Sequence, residues 1–301
     1  MTSTRIFERL QPGDHVCVVV DDDAQQARGV AGYIRAGLRQ RQRVVFYGDH
    51  SDLLERELVA HGVDSAAASA AGRLKIVAPH RSYLASGRFE PEATIEAWRV
   101  ESAAAEADGY HGLRVGGDMS WASRPLPGAD RLSWYEGQVN RVFADGFITA
   151  ACFYDRGLFT PAFLREVAGA HPGSTGAGSG EDLAPQLRMI RTVDPPGLRL
   201  EGEADLVNRA ALRAVMRSLA EDTPDDGRPL TVDVSGLRYA DASAARTLLH
   251  PALVSGRRVR LTGCSRVLRR VLAFQGAGSV PAFTIEAASQ DAAAAFEEAR
   301  P

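Results

Sequence analysis

Between residues 15 and 170, short apolar runs alternate with longer stretches whose apolar positions recur at helical spacing. His15 to Val20, Arg43 to Tyr47, Leu74 to Ala78, Leu113 to Gly116 and Ile148 to Tyr154 have the length and composition of buried strands. The stretches Gln25 to Gln40, Asp52 to His61, Glu92 to Ala107, Leu132 to Asp145 and Pro161 to Ala170 follow them in turn, and their spacing predicts a helix over each. Five strand-helix units in succession imply an α/β fold, a doubly wound parallel sheet with helices on both faces. The composition then changes. Gly173-Ser174-Thr175-Gly176-Ala177-Gly178-Ser179-Gly180-Glu181-Asp182 has nothing to bury and predicts a flexible linker over 173–185. Two domains result, 1–172 and 186–301.

The second domain carries a sharper local pattern. After Leu230 and Thr231, Val232 and Val234 alternate with Asp233 and Ser235, a short strand with one covered face that Gly236 is expected to end. Asp241 precedes Ala242, Ser243, Ala244 and Ala245 and the apolar pair Leu248 and Leu249, which reads as an N-cap and the helix behind it. Side chains that small let a partner's backbone approach closely. A hydroxyl in such a turn, here Ser243, is a candidate phosphorylation site, because the free N–H groups and the positive helix end tolerate a dianion.

Composition narrows the function classes. With 301 residues, 45% hydrophobic and 24% charged, the chain is long enough for two cores. A net charge of −3 leaves no basic footprint, and no helix-turn-helix pattern is present, so nucleic acid is not expected as a partner. No run approaches the roughly 18 apolar residues that cross a bilayer, so no membrane is expected either. The stretch Met1 to Glu8 lacks the apolar core of a signal peptide, and three cysteines, an odd number, argue for reduced thiols in the cytoplasm.

In doubly wound sheets ligands sit at the carboxyl ends of the strands. Those ends offer Asp21, Asp22 and Asp23, then Gly48, Asp49 and His50, then Asp118 and Trp121, and finally Tyr154 and Asp155. Three aspartates after the first strand would repel phosphate, and neither a Gly-Lys-Ser/Thr loop nor Gly-x-Gly-x-x-Gly follows it, which argues against nucleotide or dinucleotide binding. His15 and Cys17, two apart on one strand, share a face and are candidate ligands for a transition metal, with Cys152 or Asp155 completing the set. The competing reading makes Cys17 and Cys152 small core residues. Cys264 is expected in the second core, and His61, His111, His171 and His250 at solvated edges. The sequence specifies no cofactor.

Two resemblances follow from particular motifs. Leu200-Glu201-Gly202-Glu203-Ala204-Asp205, Asp233-Val234-Ser235-Gly236-Leu237, Asp241-Ala242-Ser243-Ala244, Val259-Arg260-Leu261-Thr262-Gly263 and Val267-Leu268-Arg269-Arg270-Val271-Leu272 resemble a STAS domain, the module of anti-sigma-factor antagonists. The resemblance implies docking to an anti-sigma factor or a similar kinase-like regulator through Asp241, Ala242, Ser243 and Ala244. It also implies a phosphoacceptor directly after the aspartate, where this chain has Ala242, leaving Ser243 as the candidate.

The first domain resembles a MEDS domain. The carrying residues are His15-Val16-Cys17, Gly37-Leu38, Leu113 through Gly116-Gly117-Asp118-Met119-Ser120-Trp121-Ala122, Tyr135-Glu136-Gly137-Gln138-Val139-Asn140, Cys152-Phe153-Tyr154-Asp155 and His171-Pro172. That resemblance implies a sensory module on a degenerate RecA-like or KaiC-like fold. It places His15, Cys17, Asp118, Trp121, Tyr135, Glu136, Cys152, Tyr154 and Asp155 at motif positions. The combined expectation is a non-enzymatic cytoplasmic signalling protein that senses a small ligand, metal or redox signal and relays it through the STAS domain. The alternative is a metal-dependent hydrolase or phosphoryl-transfer enzyme built on the acidic rim around Asp118 and Asp155.

Overall fold

The computed structural model of the chain describes residues 7–175 and 185–286. Two compact units make up the chain, Met1–Gln186 and Leu187–Pro301.

In the first unit the order is β1 (His15–Val20), α1 (Asp23–Arg39), β2 (Arg43–Tyr47), α2 (Asp52–Ala60), α3 (Ser65–Ala70), β3 (Leu74–Val77), α4 (Pro91–Ala107), β4 (Leu113–Asp118), α5 (Leu132–Gln138), α6 (Asn140–Phe143), β5 (Ile148–Asp155), α7 (Pro161–Ala168) and β6 (Gly173–Thr175). The strands form a six-stranded sheet, all parallel, in the order β3-β2-β4-β5-β1-β6. From β1 the chain steps through β2 to β3 at one edge, then returns through β4 and β5 to β6 at the other. Right-handed crossovers put the helices of those two directions on opposite faces. Thus Tyr33, Ile34, Leu54 and Leu58 of α1 and α2 pack with Val16, Val18, Phe46 and Phe153. On the other face Ile95, Trp98, Leu132 and Val167 pack with Cys17, Val45, Leu113, Val115 and Ile148. The α/β architecture expected from the alternating pattern is the one observed.

Local departures have local causes. Helix α1 starts at Asp23 because Asp22 caps it, accepting from the Gln25 N–H at 2.7 Å while Gln25 Oε1 accepts from the Asp21 N–H. One of the three aspartates is therefore a helix cap. The helix expected over Leu132 to Asp145 is interrupted at Val139, where the Asn140 amide donates to the carbonyls of Glu136 and Gly137 in place of a regular turn. Strand β6 lies within the stretch expected to be linker and pairs with β1 through Val16 and Gly173. Residues 176–184 of that stretch lie outside the described residues.

Arg114 of β4 is fully buried under α1. Its Nε donates to Gln42 Oε1 at 2.6 Å, Nη2 to Gln40 Oε1 at 2.9 Å and Nη1 to the Phe7 carbonyl at 3.1 Å. The guanidinium also lies 4.7 Å from the centre of the Tyr33 ring. Gly37 leaves the space, since a Cβ there would stand 2.5 Å from Arg114 Cδ.

In the second unit the order is β7 (Leu187–Thr192), β8 (Gly197–Ala204), α8 (Arg209–Asp222), β9 (Leu230–Ala240), α9 (Ala242–Val254), β10 (Val259–Thr262), α10 (Arg266–Phe274) and β11 (Phe283–Ile285). The sheet order is β11-β10-β9-β8-β7, with only the β7–β8 pair antiparallel. Gly236 does not end its strand, contrary to expectation. Strand β9 runs on to Ala240, and the pairing with β8 shifts register beside Gly236, where a Cβ would lie 2.7 Å from Glu201 Cγ.

Asp241 caps α9 as its position predicts, its Oδ1 accepting from the Ala244 N–H at 2.8 Å. Asp241→Ala is expected to destabilise the second unit by about 1 kcal/mol. Urea unfolding of the full chain measures this, and an unchanged midpoint would show that the cap is not needed. Ser243, the expected phosphoacceptor, is buried at 9% exposure, whereas Ala242 beside it is exposed. One residue into the helix the side chain is largely covered, on the buried side of α9 with Ala244 and Ala245.

Candidate metal centre

The α4–α7 face of the sheet gathers polar side chains from four segments. Alternation along β1 and β5 directs His15 and Cys152 to this face, α5 brings Glu136, and the turn after α7 brings His171. His15, Glu136 and His171 are buried, and Cys152 is partly so. One donor atom from each of the four lies within 4.8 Å of the others.

Hydrogen bonds fix how each group faces. The Asn140 amide nitrogen donates to the carbonyls of Glu136, Gly137 and Ala170 at 2.7, 3.0 and 3.0 Å, so its oxygen faces His15 Nδ1 at 3.0 Å. His171 Nδ1 donates to the Val167 carbonyl at 2.7 Å. An amide oxygen and a carbonyl only accept, so both imidazoles carry a proton on Nδ1 and turn Nε2 inward. The two Nε2 atoms stand 3.4 Å (His15) and 3.5 Å (His171) from Glu136 Oε2. Cys152 Sγ is 3.5 Å from His15 Nε2 and 3.7 Å from Glu136 Oε2. The other oxygen, Oε1, accepts from the Tyr154 hydroxyl at 2.6 Å.

Electrostatics follow from burial and this convergence. Burial raises the Glu136 pKa, but the imidazoles of His171 and His15 and the Tyr154 hydroxyl outweigh it, and the carboxyl sits below its ordinary value. Burial, reinforced by the His15 imidazole, lowers the His171 pKa to about 4, so its ring is neutral and Nε2 offers a lone pair. The Cys152 thiol is pushed up by burial and by the Glu136 carboxylate. Two imidazoles, a carboxylate and a thiol converging in one buried pocket can hold a transition metal, whereas a hard ion such as Mg²⁺ prefers all-oxygen ligands.

A cavity of about 40 Å³ adjoins three of the four residues, His15, Glu136 and Cys152. Its other walls are largely aromatic, from Tyr47, Tyr83, Phe89, Trp98, Trp121 and Tyr135. The Trp98 indole N–H donates to the Tyr135 hydroxyl at 2.7 Å, and Phe89 packs edge-on against Tyr135 with centroids 5.2 Å apart. Space of that size admits a few water-sized groups.

The candidate residues sort into two sets. His15, Glu136, Cys152 and Tyr154 converge, with Tyr135 and Trp121 lining the adjoining cavity. Cys17 lies opposite Cys152 in the β1–β5 register and is fully buried, but it is not one of the four donors. The pairing of His15 with Cys17 as ligands is thereby corrected. Side chains from the neighbouring strand β5, from α5 and from the turn after α7 converge on His15, and Cys17 is not among them.

Asp118 and Asp155 lie outside the cluster. Asp118 Oδ1 accepts from the N–H and hydroxyl of Ser120, and Asp155 Oδ1 accepts from the Gly157 N–H, so each holds the turn after its strand. His171, expected at a solvated edge, is buried at 1% exposure because Val167 and the Asn140-bound Ala170 carbonyl fold its turn onto the sheet. Neither the inward turn of His171 nor the clamp made by Asn140 is visible in the residue pattern. The spacing of Glu136 and Asn140, one helical turn apart, is the nearest signal to them.

Comparisons with known proteins agree with this division of the chain. The family model described as MEDS, MEthanogen/methylotroph, DcmR Sensory domain, matches residues 14–172, and one described as Mlab, STAS domain, matches residues 188–282. No curated protein matches the sequence. Among solved structures, the chain is similar to the flagellar accessory protein FlaH from Methanocaldococcus jannaschii, with 11% identity over 55% of this chain and 71% of that one, at a TM-score of 0.38. A KaiC-like protein, PH0186, from Pyrococcus horikoshii OT3 shows 15% identity over 60% and 78%, also at 0.38. The genome packaging NTPase B204 from Sulfolobus turreted icosahedral virus 2 shows 10% identity over 64% and 98%, at 0.34. With its match extending over more than half of the sequence and covering the whole buried cluster, the chain belongs to the MEDS sensory-domain family and carries a STAS domain behind it.

Proposed function

We propose that this is a non-catalytic cytoplasmic signalling protein whose first unit senses a small ligand, metal or redox signal and whose STAS domain relays it by binding an anti-sigma factor or a similar kinase-like regulator. The observation that carries the reading is the start of α9, where Asp241 caps the helix and leaves Ala242 exposed. Apolar side chains adjoin it in the fold. Tyr239 lies two residues before Asp241 and is 53% exposed, and Leu206 and Val207 follow Ala204, whose carbonyl accepts the Asp241 N–H. Such a patch around a small-residue helix start suits a protein partner. No described helix is long and apolar enough to cross a membrane.

The sensory half of the reading is supported by the aromatic cavity beside a cluster of titratable groups. Asp118 and Asp155 are engaged in their own turns, which favours a role without turnover. Relay requires that the sensed species bind two states of the protein unequally.

Ala242→Asp adds a charge where the partner would close on the helix, and capture of the regulator by the tagged full chain is expected to fall at least tenfold, about 1.4 kcal/mol. Pull-down with quantitative mass spectrometry reads this. Capture unaffected by Ala242→Asp, or recovery of no sigma-regulatory protein by the unaltered chain, would overturn the relay.

A further inference from the structure

We propose that His15 Nε2, Glu136 Oε2, Cys152 Sγ and His171 Nε2 form a four-coordinate site for a divalent transition metal of the zinc and cobalt class.

Distances carry the argument first. Bonds of about 2.0 Å to nitrogen or oxygen and about 2.3 Å to sulfur, set tetrahedrally, place neighbouring donors about 3.3–3.7 Å apart. The separations here are 3.4 Å from His15 to Glu136, 3.5 Å from His171 to Glu136, 3.5 Å from Cys152 to His15 and 3.7 Å from Cys152 to Glu136. Four edges of the tetrahedron are already at binding length.

Three of the four ligands are also held from behind. His15 is fixed by Asn140, His171 by the Val167 carbonyl and Glu136 by the Tyr154 hydroxyl. A ligating histidine uses its second nitrogen in this way, and such outer partners set ring orientation and basicity.

The competing account is a polar cluster held together by its own hydrogen bonds. It satisfies Tyr154 and both Nδ1 atoms but leaves His171 Nε2, fully buried, with no hydrogen-bond partner. A metal ion uses that lone pair. Binding it also displaces the Cys152 thiol proton to solvent and leaves a thiolate on the metal. An imidazole pair with one thiolate and one carboxylate matches zinc or cobalt in preference to the hard ions.

As the input of the sensor, the site rests on the function proposed above, but the two can fail separately. Metal binding is measured on the full chain with no partner present, and relay is tested by variants of the second unit. Chain stripped with a chelator is titrated with Co²⁺. One equivalent is expected to bind with the intense visible bands of tetrahedral cobalt and a near-ultraviolet thiolate-to-cobalt band, both bleached by Zn²⁺.

Cys152→Ser, nearly isosteric, is expected to abolish the near-ultraviolet band, and His171→Ala to weaken binding more than tenfold. Cys17→Ser should leave stoichiometry and spectrum intact. Near-ultraviolet circular dichroism checks that each variant is folded. No saturable binding by the unaltered chain, an octahedral spectrum, or a thiolate band that survives Cys152→Ser and disappears in Cys17→Ser would each overturn the site.

Discussion

Arg114→Ala is expected to destabilise the first unit by about 3–5 kcal/mol, lowering its melting midpoint by roughly 10 °C. The loss has two parts. Truncation opens a cavity beneath α1 where the guanidinium stem now packs on Tyr33 and Gly37. It also leaves the Gln42 side-chain oxygen and the Phe7 carbonyl, both on buried residues, without their donor. Arg114→Lys keeps a charge but cannot span three acceptors in different directions, so an intermediate loss of about 2 kcal/mol is expected. Differential scanning calorimetry on the full chain resolves this if the two units melt separately. A change below 1 kcal/mol for Arg114→Ala would mean that the arginine is not the clamp its contacts describe.

The second large effect concerns Glu136. One oxygen receives the Tyr154 hydroxyl and the other faces His15, His171 and Cys152. Glu136→Ala strands that hydroxyl and removes the acceptor of the Cys152 thiol, at an expected cost of about 2–4 kcal/mol in metal-free protein. Tyr154→Phe alone should cost about 1–2 kcal/mol, because it removes one hydrogen bond to a buried carboxylate. In the Glu136→Ala background the same change should cost little, since its partner has gone. A double-mutant cycle by urea unfolding measures the coupling. Strictly additive losses would show that the 2.6 Å bond is not formed in solution.

These predictions rest on residues that differ in how legible they were. The strands from His15, Arg43, Leu74, Leu113 and Ile148 stand where apolar runs predict them, and the Asp241 cap where a carboxylate precedes small residues. These features are local, set by side-chain period and by the backbone groups that a helix start leaves open. Gly236 misled because a glycine that breaks a strand and one that lets another strand approach look alike in one dimension. The burial of Ser243 shows a related limit. A residue's place in the first helical turn follows from the cap, but the direction of its side chain depends on where the sheet lies.

The candidate metal centre shows the same limit more strongly. Motif position points to His15, Glu136, Cys152 and Tyr154, but equally to Cys17, Asp118 and Asp155, and the pattern along the chain places His171 at a solvated edge. Strand alternation does select His15 and Cys152 for one face. It cannot reveal that β5 lies beside β1 in the register that sets Cys17 against Cys152, nor that α5 crosses over them to deliver Glu136.

By itself the sequence determined the order of elements, the division into two folded units and the capped start of α9, all of which depend on interactions within a few residues. Only the tertiary structure decided which polar side chains share a pocket, that Arg114 is buried and that His171 turns inward. Strand order and the face on which each helix packs bring together residues far apart in the chain, and the low-polarity interior they enclose gives those groups their perturbed charges and fixed directions.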